Sequence, residues 1–473
     1  LPAPAKIVQE QVVGPTLGKQ AIQSGMLSLI MGTIAVILFM ILYYNRAGFI
    51  AIVAVFANIF LILGILSSYG AALTLPGLAG IVLTIGMAVD ANVLIYERVK
   101  DELRAGKSLR AAVQGGFGGA LSAIVDANIT TLLAGVVLMF VGAGPVYGFA
   151  IILVIGIFSS MFTALLVSRL LIERRLDKNK DLKFSFPYSE NTLKGFNIDF
   201  VKNRKYYYIF SLSFILAGAA AFAIKGGLTT GLDFKGGWAF QIQTDPAKNY
   251  DVSTIKKALD DNLKGSSNEV KTIGSAGQYK IVTSHMLGLT APNSRDSVTS
   301  AVLTALSGIN LTKTANGEGP VLGTSKVGPA LAAETRNKSV VMLIIAVVGI
   351  FLYIVFRFRY FNYGVGAIIA LIHDVLAVLA FFALFDGVFP FPMEFDQNLV
   401  AALLTLVGYS INDTVVVFDR IREFLAENKS VKDEKTVINM AINQTLSRTI
   451  VTSLTVLAVV LILFIFGGDI LKG

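Results

Sequence analysis

Ten long apolar runs dominate this sequence and restrict the folds that are open to it. Each approaches or exceeds the ~20 residues that a helix needs to cross ~30 Å of hydrocarbon. The chain has 473 residues, of which 15% are charged, whereas soluble domains average about 25%. The sequence therefore predicts a polytopic α-helical membrane protein with spans at residues 25–43, 48–66, 77–96, 121–141, 146–168, 206–224, 338–356, 362–384, 398–418 and 446–466.

The basic residues are distributed unevenly between the loops. Lys and Arg concentrate at 97–110, 169–205 and 420–435, and they are absent from 67–76, 142–145 and 385–397. Positive charge marks cytoplasmic loops, and the asymmetry alternates consistently along the ten runs. We therefore expect the basic loops to be cytoplasmic and the N-terminus and residues 225–337 to be extracytoplasmic. The net charge of +9 then reflects topology, and no nucleic-acid partner is indicated.

The two halves of the chain are related by a shift of 322 positions. The shift places Gly86 on Gly408, Asp90 on Asn412 and Asp126 on Arg448, and the segment VGPTL (13–17) has a counterpart in VGPAL (327–331). Internal repeats are typical of transporters. Both copies of the helix that begins at these glycines run in the same direction through the predicted topology, so the repeats are expected to be parallel.

The repeats also predict that the chain is part of a longer, twelve-span protein. The first half lacks a counterpart of span 206–224 and of the insert that follows it, and the second half lacks a counterpart of span 146–168. The expected domains are the end of a missing outside domain (1–24), the first transmembrane repeat with five spans (25–170), a cytoplasmic linker (171–205), the first span of the second repeat (206–224), an extracytoplasmic domain (225–337) and four further spans (338–473).

The insert at 225–337 has the pattern of a small globular domain. FKGGWAFQIQ alternates like a strand, and DVSTIKKALDDNL reads as an amphipathic helix. Two strands, a second helix and a last strand in PVLGTSKVG follow. The order β-α-β-β-α-β predicts a ferredoxin-like α+β fold.

Enzyme motifs and cofactor sites are not evident in the sequence. The segment GKS at 106–108 resembles the end of a Walker A motif, but Asp101 stands where its first glycine belongs. The chain has no cysteine, and one of its two histidines, His285, falls in the predicted outside domain. We expect no enzyme activity, no ATPase site of its own, no metal and no cofactor.

Three ionisable residues lie inside predicted spans. Asp90 precedes Glu97 by seven residues and Asp413 precedes Asp419 by six, while Arg448 enters the last span from the cytoplasmic side. At 1.5 Å per residue all three lie roughly 10 Å below the cytoplasmic surface. A charge at the bilayer centre costs at least ~2.5–3.5 kcal/mol, which makes such residues candidates for function. Asp126 is expected to reach Arg448 as well.

Two interpretations of these charges remain open. Burial favours the neutral form of a carboxylate and a nearby arginine favours the charged form, so Asp90, Asp413 and Arg448 could load and release a proton. The alternative is a static ion pair between Asp413 and Arg448. Around them we expect a secondary relay or polar lining, with His373 and Asp374 acting either as relay or as structural hydrogen-bond partners. The candidates for this lining are Asp126, Asn92, Asn128, Asn412, Thr452, His373 and Asp374.

Several motifs resemble the SecD and SecF export proteins. GIVLTIGMAVDANVLIYERVKDE is similar to the fourth-span motif of SecD, and VGYSINDTVVVFDRIRE to that of SecF. GLDFKGG (231–237) and VGPALAAE resemble the start and end of the SecF outside domain, and LSRTIVTS the SecF motif with an intramembrane arginine. The chain is thus identified as a member of the fused SecD–SecF family within the resistance–nodulation–division (RND) superfamily, with two parallel RND-type repeats.

This resemblance implies a function. It implies a multi-pass protein of the bacterial inner membrane that assists late preprotein export, driven by H+ or, as in some relatives, Na+. It assigns the relay to Asp90, Asp413 and Arg448. The implied partners are the SecYEG channel, SecA-driven preproteins, YajC and YidC, besides membrane lipids. Two alternatives are an RND-type exporter of small molecules or lipids and a passive scaffold of the translocon.

Overall fold

The computed structural model describes residues 8–71, 73–142, 145–190, 197–248, 250–273, 277–287, 294–312, 319–389, 391, 393–427 and 433–468. The parts of the predicted loops and domains that fall between these ranges lie outside the described residues. Most of the described chain is helical. Its helices are α1 Pro15–Ser68, α2 Leu75–Arg104, α3 Leu109–Val141, α4 Pro145–Phe162, α5 Ser168–Asp177, α6 Pro187–Glu190, α7 Phe200–Lys225, α8 Leu232–Lys235, α9 Val252–Asn262, α10 Ser294–Ala305, α11 Pro329–Phe358, α12 Phe361–Phe385, α13 Gln397–Glu427 and α14 Glu434–Phe466.

Nine helices within the described ranges are long and apolar enough to cross a membrane. The sequence predicted ten spans because 25–43 and 48–66 read as separate runs. In the structure α1 contains both runs, and its 54 residues would extend roughly 80 Å if straight. The helix is broken at Asn45, where φ is 54° and ψ is −130°. A side chain at Gly48 would come within 2.1 Å of the Met40 carbonyl oxygen, so the chain bends back sharply between the two runs.

The membrane helices form two halves, α1–α5 and α7 with α11–α14, which contact each other through repeat-related helices. Helix α13 packs on α3, and α2 packs on α14. At the first contact the Thr131 hydroxyl donates to the Gly408 carbonyl at 3.1 Å. At the second, a Cβ on Gly86 would lie 3.5 Å from the Cβ of Val459. Small residues permit such close helix approach, so both glycines related by the 322-residue shift lie where the halves meet.

A five-stranded antiparallel sheet stands at one end of the helices. Its strands are β1 Gln9–Val13, β2 Gly237–Gln243, β3 Asn268–Thr272, β4 Gln278–Thr283 and β5 Val321–Val327, in the order β1-β5-β2-β4-β3. Its apolar face, with Trp238 and Phe240, packs against α9 and α10. The predicted strands and helices of the insert are present in this part, which we call the sheet domain (229–327 with β1).

Strand β1 was not predicted from the sequence. It pairs with β5, so that Gln9 lies opposite Val327 and Val13 opposite Gly323. Each strand then passes through a glycine into a helix that starts with proline, α1 at Pro15 and α11 at Pro329. The repeated VGP segments are therefore the two strand-to-helix junctions. The five residues QEQVV are few and do not alternate between polar and apolar, so they carry little strand signal alone. Their pairing with β5 decides the structure.

Candidate functional site

A polar cavity of about 40 Å³ lies between the two halves, which is room for a few water molecules. Helices α2, α3, α4, α13 and α14 all contribute to its wall. Six residues predicted for the site line it together: Asp90, Asp413, Arg448, Asn128, Asn412 and Thr452. The structure thus brings the two carboxylates and the guanidinium to one place, from three helices that belong to both halves.

Asp90 is on α2 and is buried, with 9% of its surface exposed. The hydroxyl of Thr455 on α14 donates to its Oδ1 at 3.3 Å. Tyr409 on α13 also lines the cavity and donates to the carbonyl of Thr452 at 3.3 Å. Asp90 in the first half is therefore surrounded by groups from the second half, and a change in its charge would act on the contact between them.

Arg448 lies between this cavity and a second one. The second cavity, of about 60 Å³, lies toward the end of the helices opposite the sheet domain and is lined by charged residues that include Arg98, Asp101 and Asp419. Among the described residues, Arg448 and Asp413 form no direct ion pair with each other, although both line the first cavity. A static Asp413–Arg448 pair is thus not what holds these helices together in this structure.

Asp126 contacts Arg357 and not Arg448, so the predicted contact between Asp126 and Arg448 is wrong. Its carboxylate accepts from Arg357 Nε at 2.7 and 2.8 Å and from the Tyr353 hydroxyl at 2.7 Å, both on α11. The shift of 322 positions aligned Asp126 with Arg448 along the chain, but α3 turns this face toward α11 and away from α14. Asp126 therefore belongs to a separate contact between the halves.

Asn92 also points away from the cavity. Its side-chain oxygen accepts from the Ser168 hydroxyl at 2.7 Å, and its amide donates to the Ala88 carbonyl at 3.4 Å. Since Asn92 follows Asp90 by two residues, it lies on another face of α2. The bond with Ser168 ties α2 to α5 within the first half, and the predicted lining role for Asn92 finds no support in this geometry.

His373 and Asp374 form a separate polar chain across three helices. His373 Nδ1 lies 2.9 Å from Asp374 Oδ1. On one side His373 contacts the hydroxyl of Ser211 on α7, and on the other Asp374 accepts from Ser410 on α13. Ser410 precedes Asp413 by three residues on the same helix. The chain therefore approaches the cavity from the side of α12 without lining it.

Seven side chains in these contacts were not predicted from the sequence: Tyr409, Thr455, Tyr353, Arg357, Ser168, Ser211 and Ser410. Tyr409 and Thr455 sit one helical turn from predicted site residues, so helical spacing could have indicated them. Arg357 reads as an ordinary basic residue at the end of a span. Its partner comes from the other half, and no spacing along the chain reveals that contact.

The fold and the cavity define a polytopic membrane protein with a charge-lined polar cavity between two helical halves. The family described as protein export membrane protein SecD/SecF, C-terminal, matches residues 2–175 and 309–473. The chain belongs to this family.

Known proteins similar to this chain are named SecDF. This chain is 37% identical to the protein translocase subunit SecDF of Thermus thermophilus, over all of this chain and 61% of that protein. It is 34% identical to SecDF of Brucella abortus, over 99% of this chain and 59% of that protein. The chain thus spans about 60% of the length of these relatives.

Solved structures of SecDF have the same fold. A crystal structure of SecDF from Thermus, described as a translocon-associated membrane protein, matches with a TM-score of 0.85 at 36% identity, over 98% of this chain and 60% of that one. A second SecDF structure, in a form called Super-membrane-facing, matches with a TM-score of 0.72 over 98% and 59%. The arrangement of this chain is therefore closer to the first.

Proposed function

We propose that this chain is the membrane core of an ion-gradient-driven auxiliary of the protein translocon, which assists late preprotein export and release. The observation that carries the proposal is the meeting of Asp90, Asp413 and Arg448 in one water-sized cavity between the halves. Ionisable groups inside a membrane protein are costly and mark ion pathways. Three of them around one water-sized cavity favour a relay of H+ or Na+ over a structural contact.

The relay would work through the charge balance in the cavity. With both carboxylates ionised, the single guanidinium of Arg448 balances only one of them. A proton arriving on either carboxylate leaves Arg448 drawn toward the one that is still charged. Since Asp90 is on the first half and Asp413 and Arg448 are on the second, each proton transfer biases how the halves pack on each other.

The architecture that goes with this function is also proposed. We infer two parallel RND-type repeats, a ferredoxin-like sheet domain on the extracytoplasmic side and basic loops in the cytoplasm of a bacterial inner membrane. The strand and helix order of the sheet domain and the positions of Gly86 and Gly408 support this inference. The energy source is the ion gradient, without an ATPase site in this chain, and the expected partners are SecYEG, SecA-driven preproteins, YajC and YidC.

The experiment that tests the function is preprotein release from membrane vesicles with and without a proton gradient. Asp90→Asn and Asp413→Asn each mimic a permanently protonated carboxylate, and each should abolish the gradient-dependent part of release. Asp177→Asn is the matched control, because Asp177 is an exposed carboxylate paired with Arg110. Normal release by both cavity variants would exclude the relay and leave a passive scaffold of the translocon. Gradient-driven loss of a small molecule or lipid without preprotein release would favour an exporter.

A further inference from the structure

The segment Glu394–Asp396, just before α13, joins the membrane helices to the sheet domain. The Gly231 amide donates to the Phe395 carbonyl at 3.0 Å, and the Phe395 amide donates to the Thr229 carbonyl at 2.7 Å. The two chains approach so closely here that a Cβ on Gly231 would lie 2.7 Å from the Cβ of Asp396. The first glycine of GLDFKGG is therefore required by this contact.

Glu394 connects the segment to the sheet by charge. Lys280 Nζ on β4 lies 2.9 Å from its Oε2, and Lys271 Nζ on β3 lies 3.2 Å from its Oε1. The two lysines face each other in the strand register, and the Glu394 side chain is only 8% exposed. Burial by itself would raise the pKa of Glu394, but the lysine charges and hydrogen bonds hold this pKa below its ordinary value. Glu394 is thus a buried anion between two cations of the sheet.

The first turn of α13 is held from the same side. Asp396 Oδ1 accepts from the Leu399 amide at 2.9 Å. Asp233, from the GLDFKGG motif, accepts from the Gln397 backbone amide. The first amides of a helix have no partner inside it, so such acceptors determine where the helix begins. The sheet domain therefore supplies part of the start of α13.

Helix α13 differs from other helices in how it reaches the sheet domain. Helices α1 and α11 follow β1 and β5 after a single glycine, and α7 leads through 226–236 into β2. These three connections are covalent. Helix α13 follows the segment from α12, and it contacts the sheet domain through the backbone pairing, the Glu394 ion pairs and the packing of Phe234 on Phe395 and α13. Glu394 supplies the charged part of this connection, and its removal should loosen the contact between α13 and the sheet domain.

We propose that Glu394 is a positioning residue that transmits displacements of α13 to the sheet domain. This inference rests on the proposed function, in which Asp413 on α13 changes its charge. Asp413 lies 16 residues beyond Gln397, which is roughly 24 Å along the helix. A rigid helix carries a shift at Asp413 to its first turn, and the Glu394–lysine contacts then pass this shift to β3 and β4.

The test compares Glu394→Gln and Lys280→Gln with the control Glu334→Gln in the membrane-embedded protein. Glu334 forms an exposed i,i+4 pair with Lys338 on α11. The chain has no cysteine, so Lys264→Cys in the sheet domain and Ser68→Cys at the end of α1 can carry spin labels alone. Electron spin resonance measures the width of the distance distribution, and vesicle assays measure gradient-dependent preprotein release.

We expect both variants to widen the distance distribution at least about twofold and to lower gradient-dependent release about fivefold or more. Glu394→Gln takes the carboxylate away from both lysines, and Lys280→Gln leaves the buried Glu394 with Lys271 alone of the two. The control should match the wild type in both measurements. A narrow distribution in Glu394→Gln, or normal release despite a widened one, would each overturn the proposal. Wild-type protein without gradient-dependent release would instead contradict the proposed function, which separates the two failures.

Discussion

Arg357 on α11 donates from Nε to both carboxylate oxygens of Asp126 on α3, at 2.7 and 2.8 Å. The contact joins the two halves outside the polar cavity. The Asp126 side chain is 7% exposed and that of Arg357 is 23% exposed, so the pair is largely removed from solvent. Because the pair is mostly buried, each of the two charges is stabilised mainly by the other.

Breaking this pair should destabilise the protein. Asp126→Asn or Arg357→Gln alone leaves a mostly buried charge without a partner, which we expect to lower the free energy of unfolding by about 2–4 kcal/mol. The double variant should lose less than the sum of the two, since no charge is then left unpaired. Thermal unfolding in detergent measures both effects. Additive losses would show that the two residues act independently.

Gly408 should not tolerate a side chain. A Cβ at this position would lie 2.9 Å from the Cα of Thr131 and 3.3 Å from the Cβ of Ala134, so Gly408→Ala should push α13 away from α3. We expect a loss of about 1–3 kcal/mol in stability from this overpacking.

Gly118→Ala is the control for Gly408→Ala. A Cβ on Gly118, also on a membrane helix, meets no atom within 4 Å. Alanine has the higher helix propensity, so this variant should be neutral or up to about 1 kcal/mol more stable. Equal unfolding temperatures for the two variants would contradict the close approach of the halves at Gly408.

Arg448→Lys should impair export although it keeps the positive charge. The planar guanidinium reaches both the central cavity and the charged cavity beyond it, whereas an ammonium group is a compact point charge. We expect gradient-dependent preprotein release to fall about tenfold, or about 1.4 kcal/mol, with normal amounts of protein in the membrane. Release at the wild-type rate would show that charge alone suffices at this position.

The start of α13 should depend on pH through Asp396. Burial raises its pKa from 3.8 to about 6, so the stabilising contribution of the protonated form is complete below pH 3.8 and is lost as the pH rises through about 6. The exchange rate of the Leu399 amide, after correction for intrinsic exchange, should therefore be higher at about pH 7 than at about pH 5. Neighbouring Glu394, held ionised by Lys280, stays charged in this window.

Asp396→Asn is the control for this pH dependence. The asparagine oxygen can still accept from the Leu399 amide, but it does not titrate in this range. Asp233, whose pKa is also raised by burial, is present in both proteins, so the difference between them isolates Asp396. The same slope in the variant and the wild type would assign the effect to another group.

The orientation in the membrane can be tested with single cysteines. Ser267→Cys in the sheet domain should react with an impermeant thiol reagent added to spheroplasts, and Ser108→Cys in the basic loop should not, because basic loops remain in the cytoplasm. Both serines are exposed in the structure, so access depends on the side of the membrane. Labelling of Ser108→Cys alone would reverse the proposed topology.

The sequence by itself determined the membrane class, the positions of the apolar helices and the candidate charges. Long apolar runs can only be helical across a bilayer, since every backbone group must be bonded within the segment. A carboxylate inside such a run, such as Asp90 or Asp413, is conspicuous because it is costly. These conclusions depend on local chemistry and on spacing along one chain.

Only the tertiary structure decided which residues meet. Asp126 pairs with Arg357 and not with Arg448, Asn92 turns toward Ser168, and β1 forms only because β5 offers it an edge. In each case the partner lies more than 70 residues away in sequence. Which face of a helix meets which neighbour depends on how all the helices pack together, and no local spacing encodes that packing.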